Sequence, residues 1–204
     1  MRTTFLASTL LAGVFALGGT MARAQEAQPP ASRLMGTSSD LAITYTTERS
    51  NVTPGPASNF WLQGGSVDGA ITFYRGFGLA MNATGDFASH IAPNLGLVEL
   101  AAMAGPRYTR RVGFSKHESR LFAEALAGVV RGADSAFPKT TGFDTRAGSF
   151  TYQVGGGWDI SITKHIAIRP IEADYVRSYL PNNGSNTQAS IRLAFGVVYH
   201  SGRR

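Results

Sequence analysis

The chain has 204 residues, no cysteine, 24 glycines and a formal charge of +6 at pH 7. This length fits one domain, and a chain without cysteine has no disulfides, thiolate metal sites or thiol nucleophiles. Only 16% of the residues are charged, against roughly 25% in typical soluble globular proteins, so the composition disfavours an ordinary cytosolic enzyme.

The N-terminal segment predicts export. Arg2 gives it a basic start, residues 5–19 are apolar and small, and Ala22, Arg23 and Ala24 form an A-x-A exit. This is the pattern of a secretory signal peptide over residues 1–24, whereas a membrane anchor would need about 18 to 20 apolar residues. Residues 25–39 have little apolar content and are expected to form a flexible lead-in.

From residue 40 onward apolar residues recur with a period of two, which predicts β-strands and no helix. The clearest runs are 150–162 and 187–199, in which aromatic and aliphatic residues alternate with polar residues and glycines. Six further stretches alternate more weakly, at 41–46, 61–73, 77–84, 100–108, 121–129 and 166–179. Eight strands result, with the barrel assigned to residues 40–200 and a C-terminal tail to residues 201–204.

The seventh strand changes its alternation at Pro170, because Ile168 and Ile171 have opposite parity. Proline cannot donate a hydrogen bond to a neighbouring strand and is tolerated at bulges. A β-bulge is therefore predicted near residues 169–170.

The seven connections alternate in length. The odd-numbered connections, at 49–58, 86–97, 131–147 and 180–186, are each longer than the neighbouring even-numbered ones, at 74–76, 110–118 and 163–165. Short periplasmic turns and longer external loops are typical of outer-membrane barrels. The sequence therefore predicts an all-β fold, an eight-stranded antiparallel up-and-down transmembrane β-barrel with both termini in the periplasm.

Charge placement indicates which strand face points inward. In a lipocalin-type barrel the apolar face surrounds a ligand, whereas in an outer-membrane barrel it meets lipid. The apolar face carries bulky rings that do not suit the narrow interior of eight strands, and the polar face is rich in glycine. We therefore predict a lumen charge network formed by Asp68, Arg107, Glu124, Asp159, Arg169, Glu172, Asp174 and Arg192.

Aromatic residues lie near both ends of the predicted strands, as expected where tryptophan and tyrosine favour the water–lipid boundaries. The predicted lipid-facing aromatic girdle consists of Trp61, Phe73, Tyr108, Phe150, Tyr152, Trp158, Phe195 and Tyr199.

Four segments carry a family resemblance: GPR at 105–107, FTYQVGGGWD at 150–159, IRPIEADY at 168–175 and IRLAFG at 191–196. Together they resemble the small outer-membrane β-barrel family of the OmpA/OmpX type, over about residues 40–200. The resemblance implies a porin-like barrel in the bacterial outer membrane, inserted by the barrel assembly machinery. Family members usually end on an aromatic residue, whereas here Tyr199 is followed by residues 200–204.

A lipid A-modifying barrel enzyme is a less favoured alternative. Deacylases of that kind carry a His-x-Ser pair on an outward face with a glutamate further along, and His117-Glu118-Ser119 looks like that pair. The pair lies at a predicted periplasmic turn and Glu124 is assigned to the lumen, so the required His–Ser–acid contact is not expected. No catalytic residue, metal site or cofactor is predicted.

These observations predict a non-enzymatic barrel with a largely plugged lumen and a structural, surface-interaction or envelope-integrity role. The expected partners are outer-membrane lipids, the assembly machinery during insertion, and a surface partner reached through loops 49–58, 86–97, 131–147 and 180–186. The positive charge forms no basic stripe, so no nucleic acid partner is expected. The alternative from another class is a periplasmic lipocalin-like carrier of an apolar ligand.

Overall fold

The computed structural model describes residues 38–50, 60–92, 95–114, 117–181 and 186–202, which form a closed antiparallel barrel. Each strand pairs with its neighbours in the chain, and the last strand pairs with the first. The predicted fold is confirmed. No helix in these ranges is long and apolar enough to cross a membrane. The strands are β1 (Ser38–Ser50), β2 (Phe60–Tyr74), β3 (Phe77–Ala92), β4 (Leu95–Phe114), β5 (His117–Pro138), β6 (Phe143–Ser161), β7 (Ile166–Ser178) and β8 (Gln188–Gly202).

The two ends of the barrel are named here by their connections. The turn side carries the β2–β3, β4–β5 and β6–β7 connections and the first residue of β1; the loop side carries the other four. The β2–β3 connection is only Arg75 and Gly76, both with positive φ, as a tight hairpin of the type I′ class requires. The predicted signal peptide and most of the lead-in lie outside the described residues.

The outer surface of the barrel has an apolar band as tall as the one that transmembrane barrels place in the membrane. On β3 the outward side chains Phe77, Leu79, Met81 and Phe87 are 55–68% exposed. Phe77 and Phe87 are ten residues apart, which at ~3.3 Å per residue and a strand tilt of ~40° spans ~25 Å along the barrel axis. That height equals the apolar band of transmembrane barrels, about 25 Å.

The predicted lengths of several connections were wrong, because the strands are longer than their alternation shows. β3 continues to Ala92 and β4 begins at Leu95, so most of the predicted loop 86–97 is strand. The predicted connection 110–118 is likewise mostly strand, and the predicted loop 131–147 shrinks to residues 139–142. Beyond the lipid band the outward side chains meet water instead of lipid, so exposed polar residues such as Arg131 take the place of the apolar outer face.

The predicted bulge in β7 is confirmed. The register between β7 and β8 shifts between Arg169 and Glu172, and the pairing of β6 with β7 shifts between Trp158 and Ile160. The shift returns Glu172 to the inner face, where Arg169 already lies.

Glycines on the inner face let neighbouring strands and side chains approach closely. A Cβ added to Gly128 on β5 would lie 2.0 Å from the carbonyl oxygen of Ala102 on β4, a distance that real Cβ atoms do not adopt. The glycine is therefore required by contact with the adjacent strand, in keeping with its role in strand interiors.

Candidate functional site

The lumen is filled by charged side chains. The structure places all eight residues of the predicted charge network on the inner face, each no more than 4% exposed. Buried charges at this density persist only when they are paired and hydrogen-bonded.

The centre of the lumen is organised by two arginines. Arg107 donates from Nε to Glu124 Oε2 at 2.6 Å. Arg169 donates from Nε to Asp159 Oδ1 at 2.7 Å and from Nη1 to Glu172 Oε2 at 2.7 Å. Both guanidinium carbons lie 4.3 Å from the centroid of the Phe122 ring, within the range of cation–π attraction.

Asp68 lies between these two arginines without a direct hydrogen bond to either. Its oxygens are 4.0 Å from Arg107 Nη2 and 3.9 Å from Arg169 Nη1. Neutral donors approach more closely, with Asn82 Nδ2 at 2.8 Å from Oδ1 and Ser66 Oγ at 3.2 Å from Oδ2.

Arg192 forms a second group towards the loop side, with two carboxylates that the sequence analysis missed. Its Nη2 lies 2.7 Å from Glu48 Oε2 and 3.3 Å from Asp86 Oδ2. Gln153 joins the two groups, because it accepts from Arg192 Nη1 and donates to Glu124 Oε1, both at 3.2 Å.

A third group near the turn side was also missed. Asp40 Oδ1 lies 2.6 Å from His200 Nδ1 and 3.5 Å from Arg120 Nη1. Arg120 and His200 are buried and Asp40 has an 8% exposed side chain. Continuing the alternation of β5 and β8 to their observed ends would have assigned Arg120 and His200 to the inner face.

An apolar cluster lies at the loop side of the lumen; we call it the cap. It lies beyond the charged groups, and each member is at most 7% exposed. Phe137 was assigned to a loop by the sequence analysis, and its place at the end of the long β5 makes it part of the barrel wall. The cap consists of Leu62, Ala88, Leu97, Val130, Phe137 and Leu180.

The charged groups and the cap leave little space inside. Between Glu48, Glu99 and Arg192 there is a cavity of only about 10 Å³, close to the minimum that holds one water molecule. A larger cavity of about 520 Å³ opens at the turn side, where it is lined by Arg75, Arg110, Arg111 and Arg120 among others.

The residues of the predicted aromatic girdle lie on the outer face. Six of them are 40–56% exposed, and Tyr152 and Trp158 are half-buried against their neighbours. Phe77 stacks near Tyr108 at a ring distance of 4.9 Å at the turn side, and Phe150 lies 6.2 Å from Tyr179 at the loop side. Phe195 instead contacts Tyr45, 5.3 Å away, within the band between these two ends.

Comparison with known proteins supports this architecture. No family model and no curated protein matches the sequence. Among solved structures, the attachment invasion locus protein Ail of Yersinia pestis, solved with the heparin analogue sucrose octasulfate, matches with a TM-score of 0.53 and 16% identity. The match covers 82% of this chain and 100% of Ail. Neisserial surface protein A matches with a TM-score of 0.57 and 14% identity, covering 80% of this chain and 98% of that one.

The chain has the fold of the small outer-membrane β-barrels. The predicted resemblance to the OmpA-like barrels is thereby confirmed at the level of fold.

Within this small outer-membrane barrel fold, the His117-Glu118-Ser119 segment lies at the turn side, as predicted. Ser119 faces the lumen and is 1% exposed, and Glu124 is bound by Arg107 and Gln153. The serine and the carboxylate therefore do not lie on the outward face that the deacylase pattern needs.

Proposed function

We propose that this protein is a non-enzymatic outer-membrane barrel with a closed lumen, which acts through its loop-side surface on anionic saccharides. The observation that carries the proposal is the filled interior. Salt-bridged side chains occupy the centre and the cap lies at the loop side, which supports a lumen without a path for a dissolved sugar or amino acid.

The outer surface supports a location in the outer membrane. Its apolar band, about 25 Å tall, would be in contact with the acyl chains of outer-membrane lipids. Export by the signal peptide and insertion by the assembly machinery are the route that this location implies. The orientation of the strand faces argues against the lipocalin-like carrier, because the charged face lines the interior. The apolar side chains of Phe195 and Val197 point outward and are 53% and 55% exposed.

The loop side offers a surface for contact with anionic saccharides. Strands β4, β5 and β6 have 20, 22 and 19 residues, and their loop-side ends extend past the outward apolar pair Val129 and Phe150. Arg131 and Arg146 are exposed on this extension. The similar barrel Ail was solved with a polysulfated sugar, which supports arginines as the groups that bind such a ligand.

A permeability assay tests the closed lumen. Refolded mature protein is reconstituted into liposomes, and swelling in small sugars and single-channel conductance are recorded beside a general porin. We expect no swelling and no stable conductance above protein-free liposomes. Sugar uptake that depends on the protein would contradict the proposal.

A binding assay tests the loop-side surface. The double variant Arg131→Ser/Arg146→Ser is expected to lose retention on immobilised heparin, because both charge-assisted contacts are removed. The matched control is Arg75→Ser/Arg110→Ser, which removes two arginines from the turn side and is expected to retain binding. Equal loss in both double variants would mean that retention reflects net charge alone.

A further inference from the structure

The lumen contains more carboxylates than cations. Among the residues that the structure describes, four arginines lie on the inner face together with nine acidic residues. His200 can neutralise part of the difference only beside Asp40, its contact. The acidic residues are Asp40, Glu48, Asp68, Asp86, Glu99, Glu124, Asp159, Glu172 and Asp174.

Such a surplus requires compensation, because a buried carboxylate with no counter-charge costs several kcal/mol. At the centre the imbalance is sharpest. Arg107 and Arg169 contact Glu124, Asp159 and Glu172 directly. Two further carboxylates, Asp68 and Asp174, therefore lie beside arginines that already have partners.

Three of the central carboxylates converge. Asp68 on β2, Glu124 on β5 and Glu172 on β7 each offer one oxygen, and these three oxygens lie within 4.8 Å of one another. Oxygens that share a Ca²⁺ ion at 2.3–2.6 Å are separated by at most about 5 Å. The arrangement thus has the spacing of a cation site, although like charges this close would otherwise repel each other.

Asp174 supplies an independent indication. Its Oδ1 is buried and has no hydrogen-bond partner, and the residue is 3% exposed. A buried polar atom without a partner calls for an explanation such as an ion that is bound there.

Asp174 also points towards the converging oxygens. Gly155 pairs with Glu124 on one side and with Asp174 on the other, and the Oδ1 atom covers the inner face of Gly155. Asp174 therefore approaches Glu124 across the one position between them that has no side chain. Glu172 precedes Asp174 by two residues on the same strand face.

The two arginines leave room for a further ligand on these carboxylates. Arg107 and Arg169 bind Oε2 of Glu124 and Oε2 of Glu172. The second oxygen of Glu124 accepts one hydrogen bond, from Gln153 at 3.2 Å, and a carboxylate oxygen has a further lone pair for a cation. A cation that bound those oxygens would share the carboxylates with the arginines rather than replace them.

We propose that the lumen binds one calcium ion through Asp68, Glu124 and Glu172, with Asp174 on β7 as a nearby unpartnered carboxylate whose charge the ion offsets. Calcium is preferred over magnesium because it accepts irregular oxygen sites, whereas Mg²⁺ demands near-ideal octahedral geometry and usually retains several waters. The ion stabilises the barrel by offsetting the carboxylate surplus.

Calcium-dependent stability tests the proposal. Mature protein is refolded in detergent after treatment with EDTA, with CaCl₂, MgCl₂ or neither, and thermal unfolding is followed by circular dichroism. At saturating Ca²⁺ we expect the midpoint to rise by about 5 °C or more, and calorimetric titration to give one ion per chain. Mg²⁺ is expected to have a smaller effect.

Two variants locate the site. Asp174→Asn, which removes the charge of the nearby carboxylate, is expected to reduce the calcium-dependent rise, whatever its stability without calcium. The matched control is Asp144→Asn, which removes an exposed loop-side carboxylate paired with Lys139 and is expected to keep the full rise. If Asp174→Asn does not refold, Glu172→Gln is measured in the same way.

Three results would overturn the calcium site: no rise in the wild type, an equal rise in Asp174→Asn and Asp144→Asn, or stabilisation by lowered pH alone without any calcium effect. The last result would mean that protons balance the surplus. None of these outcomes bears on the permeability assay, so a failure of the calcium site is distinguishable from a failure of the closed lumen.

Discussion

Arg169 is the residue on which the central charge group depends. It is 1% exposed, contacts both oxygens of Asp159 and one oxygen of Glu172, and packs on Phe122. No other arginine makes a direct hydrogen bond to Asp159 among the described residues. Its guanidinium therefore satisfies two carboxylates that water cannot reach.

Replacing Arg169 by methionine is expected to destabilise the barrel by about 3–5 kcal/mol, because it leaves buried carboxylates without their partner. The measurement is urea unfolding in lipid vesicles. Arg111→Met is the control, since the Arg111–Glu118 pair has a half-exposed arginine and is expected to contribute only about 0–1 kcal/mol. Similar losses of unfolding free energy in both variants would show that the contacts of Arg169 stabilise the barrel no more than an exposed ion pair does.

At the residue scale, alternation located the central charges and failed at strand ends. Asp159 and Arg192 lie in runs of thirteen alternating residues, so their inner face was readable from sequence. Glu48 and Arg120 lie beyond the runs that were recognised, and they were missed although they continue the same parity. The convergence of carboxylate oxygens from β2, β5 and β7 was not foreseen, because it depends on the closed barrel.

Strand β6 illustrates how each strand of the barrel has an apolar outer face and a polar inner face. Val154 is 51% exposed on the outer face, midway between Phe150 at the loop side and Trp158 at the turn side. Its neighbour Gln153 is 1% exposed on the inner face and hydrogen-bonded on both sides. Neighbouring residues of β6 therefore lie in different surroundings, with one side chain on the apolar outer face and the next in the polar network of the lumen.

Val154→Arg is expected to cost about 2–4 kcal/mol, because it places a charge at the bilayer midplane. The control on the same strand, at a different depth, is Thr145→Arg, at an exposed position near the loop-side end, where the expected cost is about 0–1 kcal/mol. Unfolding free energies in vesicles measure both. Equal costs would contradict the assigned depth of β6.

Gly128→Ala tests the close approach of β4 and β5. The added methyl would meet the Ala102 carbonyl oxygen, so we expect a loss of about 1–3 kcal/mol from overpacking. Gly148→Ala on β6 is the control, since its Cβ would be no closer than 3.7 Å to any neighbouring atom. The same unfolding assay applies, and a neutral Gly128→Ala would show that the strands can separate without cost.

Element ends were the least predictable part of the fold. Eight strands, their order and the bulge at Pro170 followed from periodicity and from the missing donor of proline. The loop-side ends of β3 to β6 did not, because outside the lipid band the outward residues are polar, so the alternation of an apolar outer face with a polar inner face ends there. The cap was missed for the same reason, since Ala88, Leu97 and Phe137 all lie in segments assigned to loops.

The whole molecule has the reverse arrangement of a soluble protein, with charges inside and large apolar side chains outside. We expect the mature chain to fold in detergent micelles or bilayers and to remain unfolded or aggregated in plain buffer. Circular dichroism and the shift of electrophoretic mobility on heating measure this. A folded monomer in detergent-free buffer would contradict the orientation of every strand.

The pairing of β1 with β8 makes barrel closure dependent on residues far apart in the chain. Glu48 and Arg192 contact each other across this seam although 144 positions separate them, and Asp40 and His200 do so across 160. Contacts this distant form slowly, so these ion pairs are completed only when the N- and C-terminal strands meet. Until then their charges remain hydrated, so the free-energy cost of removing them from water falls on the step that closes the barrel.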